Sequence, residues 1–114
     1  MDRLEGLWTV SFQSNFQSFG AGVAVFSQNQ ILGGDSSYYY NGNATIKDNK
    51  VESKIHIVRF NKMGTSIFGN LDSFYLNVTG NISIPTMQLS GCMIEQPTMK
   101  ITLQCNKVTG FEQA

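Results

Sequence analysis

Apolar and polar side chains alternate along most of the chain with the two-residue period of β-strands. Between Leu7 and Gln13, the side chains of Trp8, Val10 and Phe12 fall on one face and polar side chains fall on the other. Such runs are typical of strands that bury one face against a core and leave the other in water. The chain is therefore predicted to fold mainly as half-buried strands.

Eight such runs follow one another, separated by short connections. The predicted strands cover residues 7–13, 21–26, 31–32, 37–46, 51–60, 71–79, 86–94 and 98–107. The segment 61–70 is the longest irregular stretch. No segment has the 3.6-residue period of an amphipathic helix, and the connections are too short for crossover helices. Consecutive strands are therefore expected to be antiparallel neighbours.

Glycine, asparagine and aspartate residues mark the predicted turns. Residues 28–29 and the tip at 47–50 predict tight turns, in which Asn and Asp accept left-handed backbone angles. Residues 33–36 (GGDS) are expected to break or sharply bend a strand, because adjacent glycines adopt angles that other residues avoid. Gly20 and Gly22 indicate either a bulge or a close backbone approach.

Eight antiparallel strands either close into a barrel or fold as two packed sheets. Closure is preferred, because only 14% of the residues are charged and the sheet edges would have little protection from Lys or Pro. We predict an all-β fold, an eight-stranded antiparallel up-and-down β-barrel, in which residues 1–114 form a single domain. Such a barrel has an interior just wide enough for side chains or for one small ligand.

Composition and charge narrow the functional classes. The 114 residues carry 8 basic and 8 acidic side chains, and the scattered basic residues argue against direct nucleic-acid binding, which needs a basic patch. No apolar run approaches the length of a membrane-spanning helix. The N-terminus has neither the basic segment nor the apolar stretch of a signal peptide, so a cytoplasmic protein is expected.

The sequence has more aromatic residues than its turns would explain. If several point inward, they either fill the barrel or line an apolar pocket, and composition favours filling. The aromatic residues that raise this question are Trp8, Phe12, Phe26, Tyr38, Tyr40, Phe60, Phe68 and Phe74. The residues expected to line a cavity are Trp8, Val10, Phe12, Phe26, Tyr38, Tyr40, Ile55, Ile57, Phe74 and Leu76.

The two cysteines lie on the two strands of the final hairpin. A turn centred on Gln96-Pro97 places Cys92 opposite Ile101, so that Cys92 and Cys105 are offset by about four residues, on the order of 13 Å along the strand. This separation exceeds what a disulfide tolerates. Free, buried thiols are therefore expected.

Catalytic and metal-binding groups are scarce. His56 is the only histidine and lies in the middle of a predicted strand, which removes most zinc ligand sets. The acidic residues are dispersed, without a pair of neighbouring carboxylates. We predict no catalytic residue, no metal and no cofactor. An enzyme that uses Cys92, Cys105 or His56 is the weakest alternative.

Several phrases of the sequence resemble one family. GLWTVSFQSN (residues 6–15), GAGV (20–23) and above all LGGDSSYYY (32–40) are similar to the GrlR family of negative regulators of type III secretion. The similarity continues through residues 55–61 and 76–80, and so covers most of the chain. Its most specific part is the phrase formed by Gly33, Gly34 and Asp35.

The resemblance implies a bacterial cytoplasmic protein with a lipocalin-like barrel, an apolar cavity and a homodimeric assembly. Members of the founding branch bind a transcriptional activator through an acidic surface loop and keep it from its promoter. The matching loop lacks that run of negative charges; its residues are Lys47, Asp48, Asn49 and Lys50. A non-enzymatic regulator that acts by protein–protein contact is therefore expected. The alternative is a carrier or sensor of a hydrophobic small molecule or lipid in the barrel.

Overall fold

The computed structural model describes residues 4–111, and within them eight strands form a closed antiparallel barrel. Each strand pairs with its neighbours in the chain, and the first pairs with the last. The strands are β1 (Gly6–Ser14), β2 (Phe19–Ser27), β3 (Gln30–Gly34), β4 (Tyr38–Lys47), β5 (Lys50–Arg59), β6 (Ser73–Asn81), β7 (Thr86–Met93) and β8 (Lys100–Thr109). The predicted all-β barrel is confirmed. Residues 1–3 and 112–114 of the predicted domain lie outside the described residues.

Alternation of side chains builds the core inside this barrel. In β5, the side chains of Val51, Ile55 and Ile57 are buried and point inward, whereas Lys54 and His56 lie on the outer face. β6, β7 and β8 repeat the pattern with their own buried apolar residues. The two-residue period read from the sequence therefore separates interior from exterior correctly. No helix among residues 4–111 is long and apolar enough to cross a membrane.

Both predicted tight turns are confirmed by backbone angles. Gln28 and Asn29 have φ values of 52° and 65°, the left-handed pair whose twist suits a two-residue hairpin. At the tip between β4 and β5, Asp48 has a φ of 58°. Asn and Asp tolerate this region better than most residues, because their short polar side chains bond to nearby backbone groups.

The break predicted within residues 33–36 is confirmed, but it falls at Asp35 and not at the paired glycines. β3 continues through Gly33 and Gly34, and Gly33 pairs with Ala24 on one side and Tyr40 on the other. Neither glycine has a positive φ. Glycine is needed there for space, since a Cβ on Gly33 would lie 2.7 Å from the Cα of Ala24. The chain turns only at Asp35.

The register of the final hairpin differs from the prediction by one residue. Cys92 pairs with Lys100, and Ile101 pairs with Gly91 instead. The Met93 amide donates to the Met99 carbonyl at 2.9 Å, so the turn is centred on Gln96 alone. This shift places Cys92 on the outer face and leaves the buried Cys105 on the inner face. Both thiols are free, as expected, but only Cys105 is buried, whereas Cys92 is half-buried.

Candidate functional site

The barrel encloses a cavity of about 600 Å³. This volume falls within the roughly 300–1,000 Å³ of small-molecule sites. The ten side chains named from the sequence all lie around it: Trp8, Val10, Phe12, Phe26, Tyr38, Tyr40, Ile55, Ile57, Phe74 and Leu76. Sequence reasoning missed a second apolar set from the N-terminal segment, β7 and β8: Leu4, Met87, Leu89, Ile101, Leu103 and Cys105. Alternation in β7 and β8 was the signal that could have found most of them.

Glycines on the inner face of β2 explain why the aromatic side chains do not fill the barrel. A Cβ on Gly20 would lie 2.7 Å from Cζ of Phe12, and one on Gly22 would lie 2.6 Å from the hydroxyl of Tyr40. The ring of Phe12 and the hydroxyl of Tyr40 therefore lie in the space that side chains at positions 20 and 22 would occupy. The expectation of a filled interior, drawn from composition, is wrong because it counted the aromatic rings without the glycines beneath them. Of the two alternatives expected at Gly20 and Gly22, a close backbone approach is found at Gly22, where a Cβ would lie 2.7 Å from the carbonyl oxygen of Gly34, whereas at Gly20 the neighbour is a side chain.

The N-terminal segment closes one end of the cavity, called the floor here. Leu4 is 2% exposed, and its carbonyl accepts a 2.8 Å hydrogen bond from the indole nitrogen of Trp8. The neighbouring Glu5 accepts a 2.6 Å hydrogen bond from the amide of Gln28, in the β2–β3 turn. These bonds fasten the segment across the barrel beside the start of β1. The floor is therefore apolar on its inner side.

The opposite end is the mouth, and four connections surround it: residues 15–18, 35–37, 60–72 and 94–99. Its lining includes the hydroxyls of Ser18, Ser36, Ser37, Thr65 and Ser66 beside apolar side chains. Large apolar side chains are exposed in the surrounding segments: Phe16 at 59%, Phe19 at 72%, Phe60 at 60% and Met63 at 93%. Phe60 thus lies outside the barrel, although Phe68 from the same loop is buried in its lining.

Arg59 holds the long loop at the mouth. Its guanidinium donates to the carboxylate of Asp72 at 2.6 Å, to the side-chain oxygen of Asn70 at 2.6 Å and to the carbonyl of Gly64 at 3.0 Å. The Tyr38 hydroxyl donates to the carbonyl of Leu71. The loop is therefore attached to β4 and β5 at several points along its length.

Asp35 forms a polar corner between the mouth and the cavity. Its Oδ1 accepts hydrogen bonds from the amides of Ser37 at 2.9 Å and Tyr38 at 2.8 Å, and its Oδ2 accepts one from the hydroxyl of Tyr40 at 2.5 Å. Burial, and then the bond to Asp35 and its charge, raise the pKa of Tyr40 above its ordinary value of 10.0. Tyr40 therefore stays a neutral donor to Asp35.

Residues 33–35 (GGD), singled out in the sequence analysis, lead into this corner. Gly33 and Gly34 give β3 its close contact with β2 and β4, and Asp35 caps the turn into β4. The sequence singled out these three residues, although as a bend. Asp35 lines the cavity, and the two glycines belong to the adjoining strand β3.

Cys105 and His56 are not brought together. Cys105 points into the cavity, where burial raises the pKa of its thiol to about 11. His56 lies on the outer face and stacks on the ring of Tyr75, with the centroids 4.1 Å apart. Cys105 and His56 lie on opposite faces of the barrel sheet, so the two cannot form a nucleophile–base pair. Among residues 4–111 there is no group of three His, Cys, Asp or Glu side chains that could hold a metal ion.

The turn that the sequence resemblance suggested for partner contact lies at the floor end. Lys47, Asp48, Asn49 and Lys50 form the exposed turn between β4 and β5. Two lysines and one aspartate leave it with a formal charge of +1. The turn therefore provides no attraction for a basic partner.

The exterior of the barrel is divided into an apolar face and a polar face. On the outer side of β2–β4, Val23, Leu32 and Tyr39 are 48%, 57% and 45% exposed. The registers place Val25 beside Leu32, so the apolar side chains are contiguous. We call this set, Val23, Val25, Leu32 and Tyr39, the apolar face. The outer sides of β6–β8 are mostly polar, with Asn77, Gln88, Ser90 and Gln104.

Compared with models of known protein families and with curated proteins, the chain matches none.

Proposed function

We propose that this chain is a non-enzymatic regulatory protein related to the GrlR negative regulators of type III secretion, and that it acts in the bacterial cytoplasm by protein–protein contact. Support comes from one observation: residues 32–40, the most specific part of the resemblance, form a wall of a closed eight-stranded barrel together with the polar corner at its mouth. These residues have a definite task in the kind of barrel that the resemblance implies.

The segments around the mouth are the best surface for the partner. Phe16, Phe19, Phe60 and Met63 expose large apolar side chains there, and such side chains mark protein-binding surfaces when they cluster. The β4–β5 turn at the opposite end has one acidic residue and a positive formal charge. We therefore expect the partner to bind at the mouth end, and not at the turn that matches the acidic loop of the founding branch.

A pull-down with matched variants tests this proposal. The tagged protein is incubated with bacterial lysate at low salt, and captured proteins are identified by mass spectrometry. Wild type and the control Lys50→Gln are expected to capture a transcription factor or a secretion component, whereas the double variant Phe60→Ser, Met63→Ser captures neither. Capture of no transcription factor and no secretion component by wild type would contradict the proposal.

A second function, carriage or sensing of an apolar small molecule, is favoured by the cavity itself. A space of about 600 Å³, apolar along its depth and closed at the floor by Leu4 and Trp8, suits one small ligand. Native mass spectrometry of protein purified from bacteria is expected to show an adduct that organic extraction removes. A protein without an adduct, combined with a crystal structure whose interior is packed, would rule this function out.

A further inference from the structure

We infer that the cavity binds a single-chain apolar molecule whose polar end donates a hydrogen bond and carries no negative charge, an alcohol or an amine, with that end beside Asp35. This inference depends on the second function proposed above, the binding of an apolar molecule inside the barrel. It adds the chemistry of the polar end and the direction in which the molecule lies.

The charges around the cavity carry the first step. Among the described residues that line it, Asp35 is the only charged one, and none is Lys, Arg or His. A ligand carboxylate would therefore lose water without gaining a cation, which is costly. It would also be repelled by the carboxylate of Asp35. A fatty acid is thus a poor ligand for this site.

The direction of the hydrogen bonds carries the second step. The hydroxyl of Tyr40 donates its only proton to Asp35, and the hydroxyl of Tyr38 donates to the carbonyl of Leu71. Both hydroxyls can then only accept. A carboxylate has about four acceptor positions, and three on Asp35 are used. Asp35 and the two tyrosine hydroxyls therefore offer only acceptor positions, so a ligand that bonds to them must supply the proton.

The remaining polar groups inside the barrel decide the direction of the ligand. Ser53 is 1% exposed, and its hydroxyl donates to the carbonyl of Asn43 at 2.7 Å. Among the described residues, no buried side-chain nitrogen or oxygen lacks a hydrogen-bond partner. The floor end, lined by Leu4 and Trp8, offers no unmet polar contact to a second head group. One polar end at the mouth and one apolar tail toward the floor fit this distribution.

Titration calorimetry with three ten-carbon probes tests the inference at pH 8. The probes are 1-decanol, decylamine and decanoate, which share a tail and differ in the polar end. Decanol and decylamine are expected to bind at least about tenfold more tightly than decanoate, since like charges repel at the corner. The fluorescence of Trp8, the only tryptophan, gives a second readout from inside the cavity.

Two variants test whether Asp35 causes the weaker binding of decanoate. Asp35→Asn keeps an oxygen for the amides of Ser37 and Tyr38, and it should bring decanoate to within about threefold of decanol because the repulsion is gone. Tyr40→Phe keeps the charge of Asp35 and should keep the preference against decanoate. If Asp35→Asn does not fold, the ratio of the affinities for decanol and decanoate, measured in wild type and in Tyr40→Phe, tests the inference.

The possible failures are distinguishable. Binding of decanoate as tightly as decanol by wild type overturns the inference and leaves the carrier function standing, as does an unchanged preference in folded Asp35→Asn. Binding of none of the three probes overturns the carrier function and this inference together.

Discussion

At the scale of single residues, the cavity depends on two glycines of β2, which have no side chain. Gly20 and Gly22 leave room for the ring of Phe12 and the hydroxyl of Tyr40. Asp35 then holds the hydroxyl of Tyr40 and caps the turn into β4. The glycines were visible in the sequence, but the rings that lie over them come from other strands. The sequence around the glycines could therefore suggest that another group comes close, but not which residue supplies that group.

Substitution of Gly33 tests the close packing of β3 on β2. A Cβ there would lie 2.7 Å from the Cα of Ala24, and backbone atoms cannot move away as a flexible side chain can. Gly33→Ala is expected to lower the free energy of unfolding by about 1–3 kcal/mol. Urea unfolding measures it, with Gly110→Ala as the control, since a Cβ at Gly110 finds its nearest atom at 3.8 Å. Equal stability of the two variants would contradict the packing described here.

Thiol reactivity tests the placement of the two cysteines. Burial raises the pKa of Cys105 to about 11, so at pH 8 only about one thiol in a thousand is ionised. In the native protein, iodoacetamide is expected to modify Cys92, on the outer face, long before Cys105. Mass spectrometry of peptides follows both sites, and urea should abolish the difference. Native modification of Cys105 at the rate of Cys92 would show that its side chain is not enclosed.

At the scale of elements, alternation predicts all eight strands and most of their faces, because a half-buried strand must alternate. Turn chemistry predicts the tight turns at Asn29 and Asp48. Two differences from the prediction have physical causes. The bend expected within residues 33–36 occurs at Asp35 and not at Gly33, because Gly33 serves packing between strands. The hairpin register depends on whether one or two residues form the centre of the turn, and composition does not fix this.

The loop between β5 and β6 should loosen in acid. The bond from Arg59, followed by its charge, lowers the pKa of Asp72 below its ordinary value of 3.8. The resulting stabilisation is complete above the unfolded pKa and is lost as the pH falls through the folded value. Asp72→Asn should therefore be less stable than wild type at pH 7, and the difference should shrink below about pH 4.

Thermal unfolding across this pH range measures the effect of Asp72→Asn. The carboxylate is exposed, so 1 M salt should also reduce the difference at pH 7. A difference that stays constant from pH 7 to pH 3 would show that the ion pair does not stabilise the loop.

At the scale of the whole molecule, the barrel separates three surfaces: an apolar interior, the segments around the mouth and the apolar face. The sequence predicts closure and the inward side chains of β1, β4, β5 and β6, because these follow from strand count and alternation. Composition alone does not predict an open interior. That property depends on how rings from one strand lie over glycines of another, which is a fact of tertiary structure.

The apolar face fits the expected homodimer. A twofold axis brings each charge on an interface close to its own copy, and this face presents apolar side chains instead. Leu32→Glu is expected to convert the dimer into a monomer, because it places two carboxylates near the axis. Sedimentation at micromolar concentration measures this, with Gln88→Glu on the polar face as a control that stays dimeric. A monomeric wild type would refute the dimer.

The most direct test of the cavity and its orientation is a crystal structure of the protein soaked with 10-bromodecan-1-ol, with the bromine located by its anomalous scattering. The account predicts one bromine peak inside the barrel near Trp8 and the ligand hydroxyl beside Asp35. A bromine at the mouth would reverse the orientation. A packed interior with neither bromine nor tail density would contradict the cavity itself.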